Sequence, residues 1–332
     1  MTTHEVPPDA AVPYDRTAVR PAWHELPGEV RELVEARLGQ AVAHVELAGG
    51  GFTRGFAGRI RGTDGGEAFV KAAGPEPAEI ASSYRREAQV LQSLPTGMPV
   101  PALLWVAEVE TVEGPWIVLA SEVVAGLMPG APWDEESLRR VLDAVHAASE
   151  LATAAGLALE VDSLADDLAG EVDTLAYWPA VASGARVAPS VWAGQQAALL
   201  AELADAAASA VAGGAIVHTD VRADNVVLGE EGVWICDWNW VSRGAAWVDY
   251  VSLLAPARVQ GVRVDRVVRG DALWEQASDR DVSRLLAWLA AFMLVQADAP
   301  SPPFASPWLR RHQRQAAAEY LAWLRDRLAP GL

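Results

Sequence analysis

The sequence predicts an α+β fold with two lobes: a small antiparallel sheet with one helix, followed by a larger helical lobe. Short apolar segments typical of strands dominate residues 42–122, and alanine- and leucine-rich helical stretches dominate from Asp134 onward. The chain of 332 residues is long enough for two separate cores. We place the division near residues 122–126, which gives an N-lobe at 27–122 and a C-lobe at 123–332.

The predicted N-lobe follows an extended, proline-rich arm at residues 1–26. A first helix is predicted from Gly28, because apolar residues recur at helical spacing up to Gly39. Five strands are predicted at 42–48, 56–62, 67–73, 103–111 and 116–122. The Asp64-Gly65-Gly66 turn indicates a hairpin between the second and third strands, and one helix at 77–94 separates the third from the fourth.

The predicted C-lobe contains six long helices, at 134–155, 163–178, 190–213, 246–258, 278–297 and 306–328. Two stretches inside it read as short strands, IVHTDVRADNVVL at 216–228 and VWICDWNWV at 233–241. We interpret the apolar ends of the first stretch as the two sides of a hairpin that holds the polar residues between them.

Composition excludes several classes of function. A formal charge of −18 argues against a nucleic-acid or anionic-membrane surface and favours small cationic or metal-bound partners. The single cysteine, Cys236, rules out an internal disulfide, and the start of the chain lacks a secretory signal, so we expect a cytoplasmic protein. The apolar run at 285–295 is too short to span a membrane. Composition gives no oligomeric state.

One lysine stands out among the 26 basic residues, since all except Lys71 are arginine. Arginine cannot replace a compact ammonium group at every site, so Lys71 marks a position where lysine is needed, unless the bias arises by chance.

The polar stretch contains the spacing His218-x-Asp220-x-x-x-x-Asn225, and a second acid, Asp237, follows 12 residues after Asn225. A hairpin of this length brings Asp220, Asn225 and Asp237 toward one point. Phosphoryl transfer needs such a set, because a carboxylate must orient the acceptor hydroxyl and hard oxygen ligands must hold Mg²⁺. The alternative for the run taken alone is a polar turn that caps its own backbone.

These residues resemble the protein-kinase-like superfamily and, within it, the aminoglycoside phosphotransferase family of small-molecule kinases. His218, Asp220 and Asn225 match the catalytic-loop pattern H-x-D-x-x-x-x-N, and Asp237 matches the metal-binding acid that this family writes as D-W. The resemblance covers about residue 42 to at least 255. It implies a bilobal kinase-like fold, Asp220 as catalytic base or acceptor-orienting acid, and Asn225 and Asp237 as Mg²⁺ ligands.

The resemblance also implies a nucleotide site between the lobes. Lys71 would hold the phosphates, Glu87 would pair with Lys71, and the glycine-rich loop would contact the phosphates through Gly50, Gly51 and Thr53. WIVLASEVVAG looks like the hinge, where the backbone of Glu122 and Val124 would bind the adenine edge beside Ser121. His218 and Asp249 would support the catalytic loop, although Asp249 could instead be an ordinary acid at a helix start.

Three positions depart from the family pattern. The glycines at 49, 50, 51 and 55 make the glycine-rich loop one residue longer than G-x-G-x-x-G, although its amides could still form an anion-binding nest. Arg222 stands where the family commonly has histidine. It could act as a catalytic residue that stabilises charge on the transferred phosphoryl group, or it could simply pair with Asp224. Asn239 replaces an acid that often follows Asp237 in the family.

Most of the 14 tryptophans are expected in the core, with Trp238 or Trp240 the best candidates for a substrate cleft. The acids of the helical lobe resemble a surface for polycationic antibiotics, although a solvated helix face explains most of them. Cys236 is interpreted as a small core residue.

The sequence therefore predicts an ATP- and Mg²⁺-dependent kinase that phosphorylates a hydroxyl of a small, aminoglycoside-like molecule, with GTP as an open alternative to ATP. A metabolic kinase for a sugar, a choline-like alcohol or an amino alcohol remains the alternative, and an idle nucleotide-binding module is a third. Protein kinase activity is disfavoured because only 11 residues separate Asp237 from Asp249, too few for an activation loop.

Overall fold

Five antiparallel strands form the N-lobe in a computed structural model that describes residues 11–130 and 132–329. Their order across the sheet is β1-β2-β3-β5-β4, and a tight turn joins β2 to β3 as the Asp64-Gly65-Gly66 sequence predicts. The strands are Val42–Leu47 (β1), Phe56–Gly62 (β2), Glu67–Ala73 (β3), Leu103–Thr111 (β4) and Gly114–Ser121 (β5). The predicted α+β class with a small antiparallel lobe is confirmed.

Each face of this sheet packs on a different helix, because successive strand side chains point to opposite faces. One face buries Phe56, Val70 and Val118 in a cluster with Val30 and Val34 of helix α1, Gly28–Leu38. The other face contacts helix α2, Ala78–Ser93, through a cluster of Ala73, Ile80, Ala81, Tyr84, Ile117 and Leu119. Lys71 lies two positions before Ala73 on β3 and therefore shares the face that looks toward α2.

The C-lobe is built from ten helices within the described residues. They are Glu135–Ala155 (α3), Leu164–Gly170 (α4), Val172–Ala182 (α5), Val191–Gln195 (α6), Ala197–Asp205 (α7), Ala207–Ala210 (α8), Val248–Val259 (α9), Val264–Val267 (α10), Asp279–Asp298 (α11) and Leu309–Leu328 (α12). Trp178, Leu200, Tyr250 and Leu286 are among the fully buried residues of one continuous core that joins these helices. Asp134 caps α3 by accepting from the amides of Glu136 and Ser137.

Two predicted helices are interrupted. The helix expected at 163–178 ends at Gly170, and α5 begins after Glu171, whose ψ of 71° is incompatible with an α-helix. The helix expected at 190–213 consists of three short pieces that meet at Gln196 and Ala206, where ψ lies near zero. Apolar periodicity continues through such breaks, so it did not reveal them.

Four short strands lie before and after the polar segment at residues 218–225: Ala215–Val217 (β6), Val226–Leu228 (β7), Val233–Ile235 (β8) and Ser242–Gly244 (β9). β7 and β8 form a hairpin, and β6 pairs with β9. Our interpretation of the two ends of 216–228 as one hairpin is therefore wrong. β7 pairs with the strand that follows after a four-residue turn, since such a short loop closes at low entropic cost, and β6 pairs with β9 further along the chain.

The described part of the predicted arm, residues 11–26, contains two 3-10 turns, Tyr14–Arg16 and Trp23–Glu25, and the other arm residues, 1–10, lie outside the described range.

No helix within the described residues has the length and apolar character needed to cross a membrane.

Candidate active site

The polar segment at residues 218–225, which follows β6, begins with an unusual backbone conformation. Thr219 and Asp237 have φ of 64° and 61°, the two positive values at non-glycine residues within the described range. Both carboxylate oxygens of Asp249 in α9 accept from this segment, from the amides of His218 and Thr219 at 2.8 Å each. Such left-handed residues persist only where the surroundings hold them. Asp249 therefore fixes the turn that leads into Asp220.

His218 is buried, and both of its ring nitrogens form hydrogen bonds to backbone groups. Its Nε2 donates to the carbonyl oxygen of Cys236 at 2.8 Å, its Nδ1 accepts from the amide of Asp220 at 3.3 Å, and its ring meets Trp238 edge-on. Burial lowers the pKa of His218, so the ring is neutral at pH 7. These contacts fit the structural role predicted for His218. Cys236, interpreted from the sequence as a core residue, is only partly buried, although burial of its thiol raises the pKa to about 12 and makes the thiol unreactive.

Asp220 is held by two neighbours in sequence. The side-chain amide of Asn225 donates to the Asp220 backbone carbonyl at 2.8 Å and to Oδ2 at 3.2 Å, and Arg222 Nη1 donates to Oδ1 at 2.5 Å. Burial raises the pKa of Asp220, although the charge of Arg222 acts in the opposite direction. A carboxylate with a raised pKa and a fixed orientation is suited to accept a proton from a hydroxyl.

Arg222 forms a second ion pair, with Asp224. Its Nε and Nη2 atoms donate to the two Asp224 oxygens at 3.0 and 3.1 Å, and the Asp224 side chain is 1% exposed. The guanidinium carbon also lies 5.5 Å from the ring centre of Phe52, at the tip of the glycine-rich loop. The pairing with Asp224 that the sequence suggested is present, and the contact with Asp220 comes in addition to it.

Lys71 joins the two lobes. Its Nζ donates to both Glu87 oxygens, at 2.7 and 2.8 Å, and to Asp237 Oδ1, and it lies 5.6 Å from the ring centre of Tyr84. The predicted pair between Lys71 of β3 and Glu87 of α2 is thus present. Through its contact with Asp237, the same ammonium group also binds the C-lobe.

The charges of this lysine cluster (Lys71, Glu87 and Asp237) are strongly coupled. Burial opposes the charged form of Lys71, but the carboxylates of Asp237 and Glu87 outweigh burial and raise its pKa. Burial also opposes the charged form of Asp237, yet Lys71 lowers the pKa of that carboxyl. Glu87 differs, because burial raises its pKa to about 7 despite Lys71. The ammonium thus lies between two carboxylates, with two hydrogen bonds to Glu87 and one to Asp237.

The predicted metal ligands Asn225 and Asp237 lie at neighbouring ends of the β7–β8 hairpin. The amide of Cys236, which precedes Asp237, donates to the Asn225 carbonyl at 2.8 Å. The side-chain nitrogen of Asn225 is used by Asp220, which leaves its Oδ1 as a ligand atom. An amide oxygen and a carboxylate are hard donors that suit Mg²⁺ when nucleotide phosphates and water complete its shell. Within the described residues, no cluster of three His, Cys, Asp or Glu side chains could hold a metal alone.

Asn239 has a local role. Its amide nitrogen lies 2.8 Å from the Asp237 carbonyl oxygen, and its amide oxygen accepts from Ser83 of α2 at 2.6 Å. Asn239 therefore ties the segment after Asp237 to the helix that carries Glu87. This arrangement accounts for an amide where the family often has an acid.

The hinge residues occupy the end of β5. Ser121 pairs with Phe69 and Leu103 in the sheet. The amide of Glu122 donates to the carbonyl of Ala102, the residue before β4, and the Glu122 carboxylate accepts from the amide of Ala102. Within the described residues, neither the Glu122 carbonyl nor the Val124 amide has a protein partner. Both groups thus remain available for the contacts with adenine that the sequence predicts.

The glycine-rich loop is closed toward the C-lobe. Phe52 is buried and stacks on His312 of α12 with ring centres 4.6 Å apart, and its carbonyl accepts from the amide of Ser306 at 2.8 Å. Gly50 and Gly51 lie in the same loop, and Thr53 is exposed beside them. No sequence signal marked Phe52 or His312, because each reads as an ordinary apolar or helical residue. Arg20, which contacts this loop from the arm, had no sequence signal either.

An exposed tryptophan and helix α12 lie near Asp220. Trp240 is 63% exposed and its carbonyl accepts from Thr219 Oγ1 at 2.6 Å, whereas Trp238 is buried. On α12, burial raises the pKa of Glu319 and of Tyr320, and the charges of Asp220 and Arg222 act on Tyr320. Of the two tryptophans considered for the cleft, Trp240 has the exposed surface that a ligand would need.

A family model described as the phosphotransferase enzyme family, APH, matches residues 56–276. No curated protein sequence matches the chain. Among solved structures, the fold is similar to a thermostable mutant of aminoglycoside phosphotransferase APH(4)-Ia in a ternary complex with AMP-PNP and hygromycin B. The TM-score is 0.57 and the identity 15%, with 91% of this chain and 100% of that chain covered.

Two further structures share the fold. The GDP complex of an aminoglycoside 2′-phosphotransferase-IIIa mutant has a TM-score of 0.55 at 14% identity, covering 91% of this chain and 98% of that chain. A choline/ethanolamine kinase family protein from Mesorhizobium loti has a TM-score of 0.51 at 16% identity, covering 89% and 99%. At these identities the similarity establishes the fold and leaves the acceptor open. Together with the family match, it confirms the resemblance seen in the sequence: this chain belongs to the phosphotransferase enzyme family, whose members act on hydroxyl groups of small molecules.

Proposed function

We propose that the protein is an ATP- and Mg²⁺-dependent kinase that transfers the γ-phosphoryl group to a hydroxyl of a small, aminoglycoside-like molecule. The observation that carries the proposal is Lys71, which pairs with Glu87 of α2 and reaches Asp237 across the cleft. A nucleotide-binding module could lose Asp220 without penalty, so its presence beside Asn225 in the same site favours an enzyme.

In this proposal the N-lobe binds the nucleotide. The backbone of Glu122 and Val124 contacts the adenine, Ser121 lies beside it, and Lys71 contacts the phosphates together with the glycine-rich loop at Gly50, Gly51 and Thr53. Glu87 keeps the Lys71 ammonium in place through its two hydrogen bonds. Asn225 and Asp237 would hold Mg²⁺, which neutralises phosphate charge when it is bound. GTP remains an alternative donor.

The C-lobe supplies the acid–base group. Asp220 orients the acceptor hydroxyl and takes its proton as the new O–P bond forms and the bond between the γ-phosphorus and the β–γ bridging oxygen of ATP breaks, which releases ADP. Its raised pKa favours this role. Arg222 contacts the same carboxylate, so we propose that it keeps Asp220 from turning away and balances negative charge near the transferred group. His218 and Asp249 stay outside the chemistry and hold the loop.

The charge of the chain supports a cationic acceptor. A formal charge of −18 and the partly buried Glu319 on α12 would attract amino-substituted molecules. Two structures of the same fold are aminoglycoside phosphotransferases. A choline-like or amino alcohol is the second candidate, favoured by exposed Trp240, whose ring could contact a quaternary ammonium group.

The test is an assay of nucleotide consumption against a panel of aminoglycosides, other hydroxylated antibiotics, sugars, choline and amino alcohols, with ATP and GTP in parallel. At least one acceptor should raise consumption above the acceptor-free rate, and an Asp220→Ala variant should abolish that increase. Consumption that no acceptor raises, in a preparation that binds nucleotide, would favour the idle nucleotide-binding module. Chelation of Mg²⁺ should stop the reaction.

A further inference from the structure

The N-terminal arm lies directly on the glycine-rich loop, residues 48–55, and a single arm residue makes most of the contact. The guanidinium of Arg20 donates to three loop carbonyls: Nε to Ala48 at 2.9 Å, Nη1 to Gly55 at 2.8 Å and Nη2 to Gly50 at 2.7 Å. One planar side chain therefore spans both ends and the middle of the loop.

Neighbouring arm residues bind two more carbonyls of the loop. The amide of Ala18 donates to Gly49 at 2.8 Å, and the hydroxyl of Thr17, a residue 1% exposed, donates to Gly51 at 3.1 Å. Thr17 is itself fixed from the C-lobe, because Ser306 Oγ donates to its carbonyl at 2.5 Å. Arm residues therefore donate hydrogen bonds to the backbone carbonyls of residues 48 to 51 and of residue 55.

The contact also explains the three consecutive glycines, which the family pattern does not require. A Cβ at Gly49 would collide with the carbonyl oxygen of Asp15, and a Cβ at Gly50 would lie 3.0 Å from the carbonyl oxygen of Tyr14. Gly51 has a φ of 109°, and a Cβ there would lie 2.9 Å from Arg20 Nη2. At positions 49 to 51 the glycines are therefore needed to let the arm pass close to the loop.

The carbonyl contacts leave the other polar groups of the loop available. Within the part of the chain that the structure describes, the backbone amides of residues 50–54 donate to no protein oxygen. Backbone amides in such a loop form an anion-binding concavity when their orientation is fixed. The arm binds the carbonyl groups of the loop and so fixes its conformation. The backbone amides of the loop stay free to bind an anion.

We propose that Arg20 is a positioning residue for nucleotide phosphates: it acts through the carbonyls of Ala48, Gly50 and Gly55 and holds the loop amides ready for the anion. The inference rests on the proposed function, in which this loop contacts the phosphates. It predicts that the arm contributes to binding the phosphates and contributes nothing to binding the nucleoside at the hinge.

The experiment measures the affinities for Mg²⁺·AMP-PNP and for adenosine by titration calorimetry on the full chain. Arg20→Ala should weaken Mg²⁺·AMP-PNP binding by about tenfold or more, from the loss of charge-assisted hydrogen bonds, and should change adenosine binding less than twofold. Arg20→Lys should fall between the parent and Arg20→Ala, because it keeps the charge and loses the three-way geometry.

Two further variants keep the test decisive. Arg16→Ala changes an exposed residue of the same arm that forms an ion pair with Asp15, and it should leave both affinities unchanged. Thr17→Val is nearly isosteric, so it should fold even if Arg20→Ala does not, and it should weaken Mg²⁺·AMP-PNP binding about threefold, as expected for one lost hydrogen bond to the loop.

The outcomes separate the two proposals. Unchanged Mg²⁺·AMP-PNP affinity in the Arg20 and Thr17 variants, beside normal binding by the parent, would overturn only the role of the arm. An equal loss of adenosine and AMP-PNP binding would also overturn it, because Arg20 would then act through the folding of the whole N-lobe. A parent protein that binds neither ligand would overturn the proposed function, and this inference with it.

Discussion

The lysine cluster and the arginine cluster, Asp220, Arg222 and Asp224, each place one cation between two carboxylates, but the chain builds them in opposite ways. The partners of Lys71 are 16 and 166 positions away, on α2 and after β8. Both partners of Arg222 are two positions away in one loop. The lysine cluster therefore depends on how the lobes meet, whereas the arginine cluster depends on one turn of backbone.

The two cations also differ in how they bind. The ammonium of Lys71 is a compact charge that can move between Glu87, Asp237 and a phosphate group, while the guanidinium of Arg222 grips Asp224 with two parallel hydrogen bonds. We therefore expect changes in the lysine cluster to alter nucleotide binding, and changes in the arginine cluster to alter turnover. The following predictions test this division.

Replacing the base should give the largest effect. Asp220→Ala removes the carboxylate that would accept the hydroxyl proton, so kcat should fall by at least ~10²-fold, about 2.7 kcal/mol, with little change in KM for ATP. Steady-state kinetics with the best acceptor of the panel measures both. Asp166→Ala, an exposed acid on α4, is the control and should keep parental kinetics. Parental turnover in Asp220→Ala would remove Asp220 from the reaction.

A substitution in the lysine cluster should weaken nucleotide binding. Asp237→Asn removes the carboxylate that contacts Lys71 and would hold Mg²⁺, so affinity for Mg²⁺·AMP-PNP should fall by about 30-fold while adenosine affinity is kept. Calorimetry at several Mg²⁺ concentrations checks this. Glu87→Gln should lower the affinity for Mg²⁺·AMP-PNP by a smaller factor, because Lys71 still contacts Asp237. If Asp237→Asn retains the metal dependence of the parent, Asp237 is not a metal ligand.

Arg222→Lys tests the arginine cluster. A lysine cannot make the two hydrogen bonds to Asp224 and the one to Asp220 together, so kcat should fall about tenfold while ATP affinity stays the same. Asp224→Asn should lower kcat by a smaller factor, because a neutral amide binds the Arg222 guanidinium less strongly than the carboxylate does. A change confined to thermal stability would mean that Arg222 only supports the loop.

The smallest effect concerns His312, beside the arginine cluster. Burial lowers the pKa of His312 to about 3, and the charge of Arg222 acts in the same direction while Asp224 opposes it. The unfolded chain binds a proton at this residue below its ordinary pKa near 6.5, but the folded chain does not. The stability from neutral His312 is therefore complete above that pH and is lost as the pH falls.

The parent should thus lose about 0.8 kcal/mol more stability than His312→Gln between pH 7.5 and pH 6, from the proton uptake of one histidine. Urea unfolding at the two pH values measures the difference within each protein, so any cost of the substitution itself cancels. Equal pH dependence in the two proteins would show that His312 is accessible to protons in the folded state.

Much of the candidate site could be predicted because its signals are local in sequence. The spacing from His218 to Asn225 lies within one loop, and the hairpin that carries Asp237 close to Asn225 closes through a four-residue turn. Lys71 was marked by being the sole lysine and by its place on a strand. For the same reason the five-stranded sheet and its order of elements followed from strand-like segments and turn residues.

Other features had no local signal. The ends of α4 and of the helix expected at 190–213 depend on backbone angles at Glu171, Gln196 and Ala206, which apolar periodicity does not report. The pairing of β6 with β9 was missed because β9 is three residues long and carries a serine, an arginine and a glycine. Strand propensity is low for such a segment, and only its partner makes it a strand.

The sequence by itself determined the fold class, the family and the candidate site residues, because each depends on short spacings along one strand, loop or hairpin. Only the tertiary structure decided that Lys71 lies between Glu87 and Asp237, and how Arg20 and His312 reach the glycine-rich loop. Tyr14 and His312 form a hydrogen bond across 298 positions of chain. Contacts of this kind arise from packing against surfaces that distant segments provide, so no periodicity or motif along the chain encodes them.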